Sequence, residues 1–532
     1  MTDQMLIARP GNKNLPPDKS TVSTEVILQS AVERMKHNLF SQRFVPRKFY
    51  PKKTNFEPAI NDTRRYIQSI TIEEARHIEY QLIHHVSSDE AYSLSIHENG
   101  DILIKTVSLK GGLYAIQTLS QLFYAHSRYR DDIYTPYAPV VITDGPAFQH
   151  RGLNLDIARN WIPPKAVMKT IDAMSHNKLN RLHIHASDSQ SWPLEIPSLP
   201  NLALDGAYDG SQTWTTSDLQ EVQRFGLERG VEVYLEIDLP GHTTSIAHSY
   251  PNLIVAANEH PWHLFALEPP AGQLKLNSSD VYSFLTILLN DLLPRSAPYS
   301  SYFHIGGDEV NTRAYSLDPT INSSSIDVLR PLLQSLYTRL ISITESHSLT
   351  PIVWEEMILD WNLTLPQTTI VQAWRSAESL ASILRTGHKA LFGSNTHWYL
   401  DCGQGTFLDR NSTNPDSPIG PPYTDYCSPY KNWRHVYSYD PLANIPESQR
   451  QLIAGGEVHL WGEMTDSVTL DVMLWPRVAA AAEVLWSGTG KPVTEDTTRR
   501  LAEMRERLVA SGVGAGMVQM EWCLRNKGNC IL

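Results

Sequence analysis

The chain has no apolar run long enough to cross a bilayer, which excludes a helical membrane protein. It has no surplus of basic residues. Its 45 Lys and Arg stand against 57 Asp and Glu, a formal charge of -12 without long single-sign runs, so no nucleic-acid or anionic-membrane surface is expected. No internal repeat is present, which argues against a solenoid or propeller. No glycine-rich phosphate loop opens a first helix, no Gly-x-Ser-x-Gly elbow occurs, and no cysteine stands beside a histidine. Dinucleotide binding and acyl transfer through a nucleophile therefore have little support. The first thirty residues hold neither an apolar core nor a cleavage pattern, so no signal peptide is read there.

Cysteine is scarce: Cys402, Cys427, Cys523 and Cys530 are the whole supply. Four cysteines allow three pairings. The sequence-local one, Cys402 with Cys427 and Cys523 with Cys530, is favoured because each pair brackets a turn-rich segment. Asn-x-Ser/Thr acceptors stand at Asn61, Asn277, Asn322, Asn362 and Asn411, a weak pointer to a secretory route. Aromatics are plentiful, with 13 Trp and 23 Tyr, and Trp serves both as core filler and as a flat platform for sugar rings.

A chain of 532 residues is too long for one ordinary domain and suits a barrel of at least about 250 residues with an extra module. Residues 1–25 are polar and expected to be poorly ordered. A non-catalytic α+β domain is read over 26–145, with helices near 25–38 and 111–125 and strands near 65–71, 91–96 and 101–107. Beyond Val140 strands and helices alternate, the signature of a parallel sheet. Eight strands are expected, at 151–158, 181–188, 231–239, 302–307, 351–357, 369–373, 390–394 and 457–461. Helices are plainest at 165–176, 218–229, 281–293, 328–346 and 377–385. This is the pattern of an α/β protein whose catalytic domain, 146–490, is a (β/α)8 TIM barrel with insertions. The remainder, 491–532, would be an amphipathic helix and a disulfide-bearing tail.

The most informative stretch is His304-Ile305-Gly306-Gly307-Asp308-Glu309-Val310. A short apolar strand that ends in two glycines and then presents Asp-Glu is a poor way to build a core. Successive residues of an extended chain point to opposite sides, so the two acids can reach two atoms of one ligand. In a barrel of this kind the site lies at the carboxyl ends of the strands. Those ends read Asp156 with Arg159, Asp188, Asp238 with His242, Asp308 with Glu309, Trp354 with Glu355, Trp374, Tyr399 with Asp401, and Trp461 with Glu463. A nearly complete ring of carboxylates and aromatics is hard to explain as packing. It is what glycoside hydrolysis requires. His183-Ile184-His185 could instead seed a metal site. Further ligands at later strand ends are few, and packed histidines with satisfied nitrogens are the preferred reading.

The segment 304–310 resembles the signature of family 20 glycoside hydrolases, the β-N-acetylhexosaminidases, and the likeness continues along the chain in order. Arg151-Gly152-Leu153-Asn154-Leu155-Asp156 is similar to the family's first barrel strand. Arg181-Leu182-His183-Ile184-His185 through Trp192 resembles the second, and Glu236-Ile237-Asp238-Leu239-Pro240-Gly241-His242 the third. Leu460-Trp461-Gly462-Glu463, Trp475-Pro476-Arg477 and Glu483-Val484-Leu485-Trp486-Ser487 fit the last strand and helix, and the whole looks most like the filamentous-fungal branch.

The resemblance implies a retaining, substrate-assisted exo-hydrolase acting on terminal β-linked N-acetylglucosamine or N-acetylgalactosamine of chito-oligosaccharides and glycans. It implies neither cofactor nor metal ion. Glu309 would be the general acid and base, Asp308 would hold the acetamido group, and Tyr399 would donate to the acetamido oxygen. Arg151 would bind the 3- and 4-hydroxyls, and Asp401 with Glu463 the 4- and 6-hydroxyls. Trp354, Trp374 and Trp461 would wall the acetamido pocket. Asp188 and His242 would form a polar relay that keeps Glu309 protonated at the start. Asp156 and Arg159 are read as an ion pair outside this set. The Gly306-Gly307 pair is read as a hinge. The resemblance further implies a secreted glycoprotein, a homodimer, and no nucleic-acid or membrane partner. The alternatives are an inactive sugar-binding relative and a metal-dependent barrel hydrolase. One departure stands out: Ser189 follows Asp188 where the family often has a second Asp.

Overall fold

The structure, a computed structural model, describes residues 24–59, 65–75, 89–129, 132–410 and 419–532. Most of the polar amino-terminal stretch, Asn61 and Asn411 lie outside these residues. The amino-terminal module carries a four-stranded sheet of β1 (Ser69–Glu74), β2 (Tyr92–Ile96), β3 (Asp101–Thr106) and β4 (Val140–Asp144), in the order β1-β3-β2-β4. Strands β1 and β3 run parallel, and β2 is antiparallel to both of its neighbours. Helices α1 (Thr24–His37) and α2 (Leu109–Gln121) pack together beside it. Ser108 caps α2, its hydroxyl accepting from the Gly111 amide, a contact that contributes about 1 kcal/mol. The sequence reading placed the first strand at 65–71 and did not expect β4. That strand alternates between half-buried and exposed residues at the sheet edge, so its apolar signal is weak.

A closed barrel of eight parallel strands follows. They are β5 (His150–Asp156), β6 (Arg181–His185), β7 (Glu232–Glu236), β8 (Tyr302–His304), β9 (Thr350–Trp354), β10 (Ile370–Ala373), β11 (Ala390–Phe392) and β12 (Ile453–Leu460). β12 closes on β5 in continuous parallel register, with Gly455 opposite His150 and Leu460 opposite Leu155. All eight expected strands are present. The outer ring includes α3 (Pro164–His176), α4 (Thr216–Leu227), α5 (Ser279–Ser296), α6 (Ile326–Ser346) and α7 (Ala377–Arg385). Pro164 starts α3, where a missing amide costs nothing, and Thr215 and Asp218 form a reciprocal capping box for α4.

Strand alternation sorts the barrel into two environments. Leu153, Leu155, Leu182, Ile184, Val233, Leu235, Val458 and Leu460 face the helices and join one large apolar core. Their alternates, Asn154, His183, His185, Tyr234, Glu236, Glu457 and His459, face the axis at almost no exposure. A barrel interior is ordinarily filled by branched apolar residues. Here its upper layers are polar and hydrogen-bonded. His183 and His185 therefore belong to this interior network, with His185 held between Glu236 and Asp188.

Arg151 sits near the amino end of β5, at the opposite end of the strand from Asp156, and is 0% exposed. Its guanidinium donates to Glu90 at 2.6 Å, the Phe148 carbonyl at 2.8 Å, the Lys178 carbonyl at 2.9 Å and the Tyr114 hydroxyl at 3.0 Å. It also lies over the rings of Tyr114 and Trp486. Arg151 therefore pins the amino-terminal module to the base of the barrel. The expectation that it binds sugar hydroxyls is overturned.

Candidate active site

Both expected disulfides form, Cys402–Cys427 and Cys523–Cys530. The first ties the segment just after β11 to the distal end of the long loop that follows. Asp401 and Tyr426, the residues preceding the two cysteines, both reach the same cavity. That cavity opens at the carboxyl ends of the strands and holds about 450 Å³. Arg159, Glu268, Asp308, Glu309, Trp374, Tyr399, Asp401, Tyr426, Trp461 and Glu463 line it, with Leu267, Phe407 and Met464 at its rim. A larger hollow of about 810 Å³, bordered by Arg34, Asp172, His176 and Arg229, lies beside α1 and α2 and contains none of these residues.

Asp308 and Glu309 leave β8 through a backbone that only glycine permits. Gly306 and Gly307 have φ of +78° and +113°. A Cβ on Gly306 would collide with the Asp238 carboxylate, and one on Gly307 with the Tyr337 hydroxyl and Met357. The pair is thus a site of close approach, wedged between β7 and β9, and not a hinge. Glu309 itself takes φ +55°, a left-handed conformation that is rare outside glycine. Such strain is held only where the surroundings over-determine it.

Glu309 faces the cavity with a side-chain exposure of 24%, and its Oε2 lies 3.3 Å from His242 Nε2. His242 Nδ1 lies 3.1 Å from Asp188 Oδ1. The three side chains expected to act together are thus in contact. Burial works against a charge on His242, but Asp188 more than offsets it and holds the imidazole well above its ordinary range. Burial also opposes ionisation of Asp188, yet Arg159, His242 and His185 hold it far below the usual carboxylate range.

On the other side of the pair, Asp238 Oδ2 and Asp308 Oδ1 are buried with no donor between them. The two carboxyls lie in one cluster with His242. One shared proton satisfies both. Burial, then repulsion by Asp308, pushes Asp238 well above the ordinary range; Asp308 is also raised by burial, opposed by His242 and by the hydrogen bond from Asp238. The proton accordingly rests on Asp238 and Asp308 is the anion. Glu356 adds a third carboxyl nearby. Burial first and Asp308 second keep it protonated, and its Oε1 accepts from Trp374 Nε1 at 2.9 Å.

The aromatic wall is continuous. Trp354, Tyr399 and Trp461 are buried in one cluster with the Cys402–Cys427 bridge, and Trp374 packs against it. Trp374 and Tyr399 are stacked at 6.1 Å. Trp354 lies behind this wall, with its Nε1 donating to Glu236 Oε1 at 2.7 Å. Tyr399 is fixed by a parallel bridge between its backbone and that of His459. Burial raises its phenol well above the ordinary range, so it remains a donor.

The polar end of the cavity is built on Arg159, not Arg151. Its guanidinium reaches Glu268 at 2.8 Å, Asp188 at 3.0 Å and Asp156 at 3.4 Å, with the carbon 4.9 Å from the Trp461 ring centre. Burial disfavours its charge, but these carboxylates hold it firmly protonated. Burial pushes Asp401 up to about 6, and burial together with Glu268 raises Glu463 well above the ordinary range. Arg159 was legible as a charged residue three positions past Asp156 but was set aside as a structural partner. Glu268 and Tyr426 lie in long connections between strands, and no sequence signal marks them.

The chain resembles known proteins along its length. Residues 148–489 match the catalytic domain of glycosyl hydrolase family 20, and residues 2–122 match a domain described as beta-acetyl hexosaminidase like. A beta-hexosaminidase of Arthroderma benhamiae is 47% identical over 522 residues, covering 96% of this chain and 86% of the relative. A chitooligosaccharidolytic beta-N-acetylglucosaminidase of Ostrinia furnacalis is 32% identical over 465 residues, covering 83% and 75%. Among solved structures, the exo beta-N-acetylglucosaminidase of Vibrio harveyi in complex with N-acetylglucosamine shares the fold, with a TM-score of 0.74 at 22% identity over 97% of this chain and 75% of that one.

Proposed function

The chain belongs to glycosyl hydrolase family 20, and from that premise we propose a retaining exo-β-N-acetylhexosaminidase that removes terminal β-linked N-acetylglucosamine or N-acetylgalactosamine from chito-oligosaccharides and glycans. The observation that carries this reading is the unequal pair at the end of β8. Glu309 is backed by His242 and Asp188, a proton relay, whereas Asp308 is an anion backed by a protonated Asp238 and faces an aromatic chamber. A proton donor beside a fixed anion suits a substrate that brings its own nucleophile.

In the proposed reaction the acetamido oxygen of the bound sugar attacks C1 while Glu309 protonates the departing glycosidic oxygen. The C1–O bond breaks with its electron pair going to the leaving alcohol, and an oxazolinium ring forms. Asp308 accepts from the acetamido N–H and balances the positive charge that develops there. Tyr399 donates to the acetamido oxygen and orients it for attack. Glu309 then removes a proton from water, which opens the ring at C1, so configuration is retained through two displacements on opposite faces. Trp374 and Trp461 wall the acetamido side, with Trp354 packed behind them. Arg159, Asp401 and Glu463 take the sugar hydroxyls, Arg159 in the part expected of Arg151.

Among the described residues no helix is long and apolar enough to cross a membrane, and the acceptors Asn277, Asn322 and Asn362 are exposed. With the two disulfides these support the reading of a secreted glycoprotein. A homodimer is proposed from the family alone. The deciding assay compares 4-nitrophenyl β-N-acetylglucosaminide with the matching β-glucoside, with and without chelator. Turnover confined to the acetamido substrate and indifferent to chelation is expected. Comparable rates on the glucoside would refute participation of the acetamido group. Tight sugar binding without turnover would identify an inactive relative.

A further inference from the structure

The polar interior of the barrel continues the relay that ends at Glu309. Asp188 Oδ2 lies 2.7 Å from His185 Nε2, and His185 Nδ1 lies 2.7 Å from Glu236 Oε2. From Glu236 the chain passes to His183 at 3.1 Å, from His183 to Glu457 at 3.1 Å, and from Glu457 to His150 at 2.7 Å. It spans the barrel from the catalytic end to the start of β5, at 0–2% exposure from Asp188 to His150. We infer that His185 is a permanent imidazolium, and that its charge, acting through Asp188, sets how firmly His242 holds its proton beside Glu309.

The geometry favours the doubly protonated state of His185. A neutral imidazole has one N–H and one lone pair, so one nitrogen would face a carboxylate oxygen with nothing between them unless a carboxyl there held the proton. Asp188 is poorly placed to hold it, since its Oδ1 already accepts from the Ser189 amide and His242, and its Oδ2 faces Arg159 as well as His185. Glu236 accepts from Trp354 Nε1 on Oε1, and its Oε2 faces both His185 and His183, an environment of donors that favours its anion. The proton therefore rests on the imidazole, between two carboxylates at 2.7 Å. His304 stays neutral, because its Nδ1 accepts from the Gly306 amide, and the edge-on Trp461 ring 5.1 Å from His185 carries no charge. The other groups that bear on His242 are Arg159, 3.4 Å from the same Nδ1, Glu268 beside it, and Asp238, Asp308 and Glu309.

His185 is a positioning residue; it touches no substrate. With its charge in place, Asp188 divides its field among three cations. Without it, Asp188 holds the proton on His242 more strongly, and the imidazolium beside Glu309 persists to higher pH. This consequence rests on Glu309 as the proton donor; the protonation of His185 does not.

Two measurements test the inference. In wild-type protein labelled with 15N-histidine, His185 is expected to show two exchange-protected N–H protons at every pH from about 5 to about 9; a single N–H at pH 7 overturns the proposal. In Glu236→Gln the second N–H is expected to titrate away within that window, and its persistence counts against the chain. In a folded His185→Gln variant the alkaline limb of the kcat/KM profile should move up by about one pH unit, with KM on the acid side unchanged. A limb that stays in place or moves down overturns the relay. Failure of the wild-type enzyme to hydrolyse any N-acetylhexosaminide would refute the functional reading while leaving the NMR result to stand or fall alone.

Discussion

Arg151 and Arg159 lie eight residues apart, toward opposite ends of one strand, and the structure surrounds them differently. Replacing each by Met separates their roles. Arg151→Met removes five hydrogen bonds and takes the directly paired cation from the buried Glu90. Breaking one partner of such a pair costs about 3–5 kcal/mol. Arg159→Met destabilises by a comparable amount, since Asp188, Asp156 and Glu268 lose their common partner, but it also removes a charged donor from the cavity. A hydrogen bond to a charged group contributes about 1.5–3 kcal/mol, so kcat/KM should fall by roughly one to two orders of magnitude. The assay is kcat and KM on a chromogenic β-N-acetylglucosaminide, taken well below each variant's melting temperature and normalised to folded protein by circular dichroism. Arg151→Met should melt earlier yet keep kcat/KM within about threefold of wild type per folded molecule. Arg159→Lys, which keeps the charge but loses the fork, should recover stability more than KM. A folded Arg151→Met enzyme with KM raised tenfold, or an Arg159→Met enzyme with unchanged KM, would sink the assignment.

Glu309→Gln should lower kcat/KM by about 10²–10⁴-fold toward an alkyl or sugar leaving group, and less toward 4-nitrophenolate, which departs with little help from an acid; equal losses on both would refute its role as donor. Because burial holds Asp401 up to about 6, it is neutral below that pH and ionised above it. An ionised acceptor binds a hydroxyl more strongly, so KM should fall as pH rises through about 6, and Asp401→Asn should erase that limb. Replacing Cys402 and Cys427 by Ser frees a loop of 25 residues and should cost about 3.5 kcal/mol in chain entropy. A lower melting temperature with raised KM is expected, and an unchanged melting temperature would show that the loop is held without the bridge.

Strand alternation and strand ends carried most of the fold in the sequence. The eight barrel strands, the acidic pair after β8 and the aromatic residues at or beyond the ends of β9 to β12 were readable because they close or follow apolar runs, and the pairing of Asp188 with His242 was implied by the family resemblance. Both disulfides were readable for a similar reason, as each closes a local loop. The edge strand β4 was not, because a strand with one weakly buried face carries little apolar signal.

What only the tertiary structure decided is which end of a strand faces the substrate, and which groups meet across the barrel. Arg151 and Arg159 are equivalent in sequence; they differ because β5 has a base and a mouth. Gly306 and Gly307 look like a hinge in one dimension and prove to be the points where the chain passes too close to Asp238, Tyr337 and Met357 for any side chain. His183 and His185 stand on one strand face in the sequence, and only the closed barrel places carboxylates from β7 and β12 and from the end of β6 beside their nitrogens. The sequence by itself set which residues are chemically able; closing the sheet into a barrel set their partners, because alternate residues of all eight strands then share one buried axis.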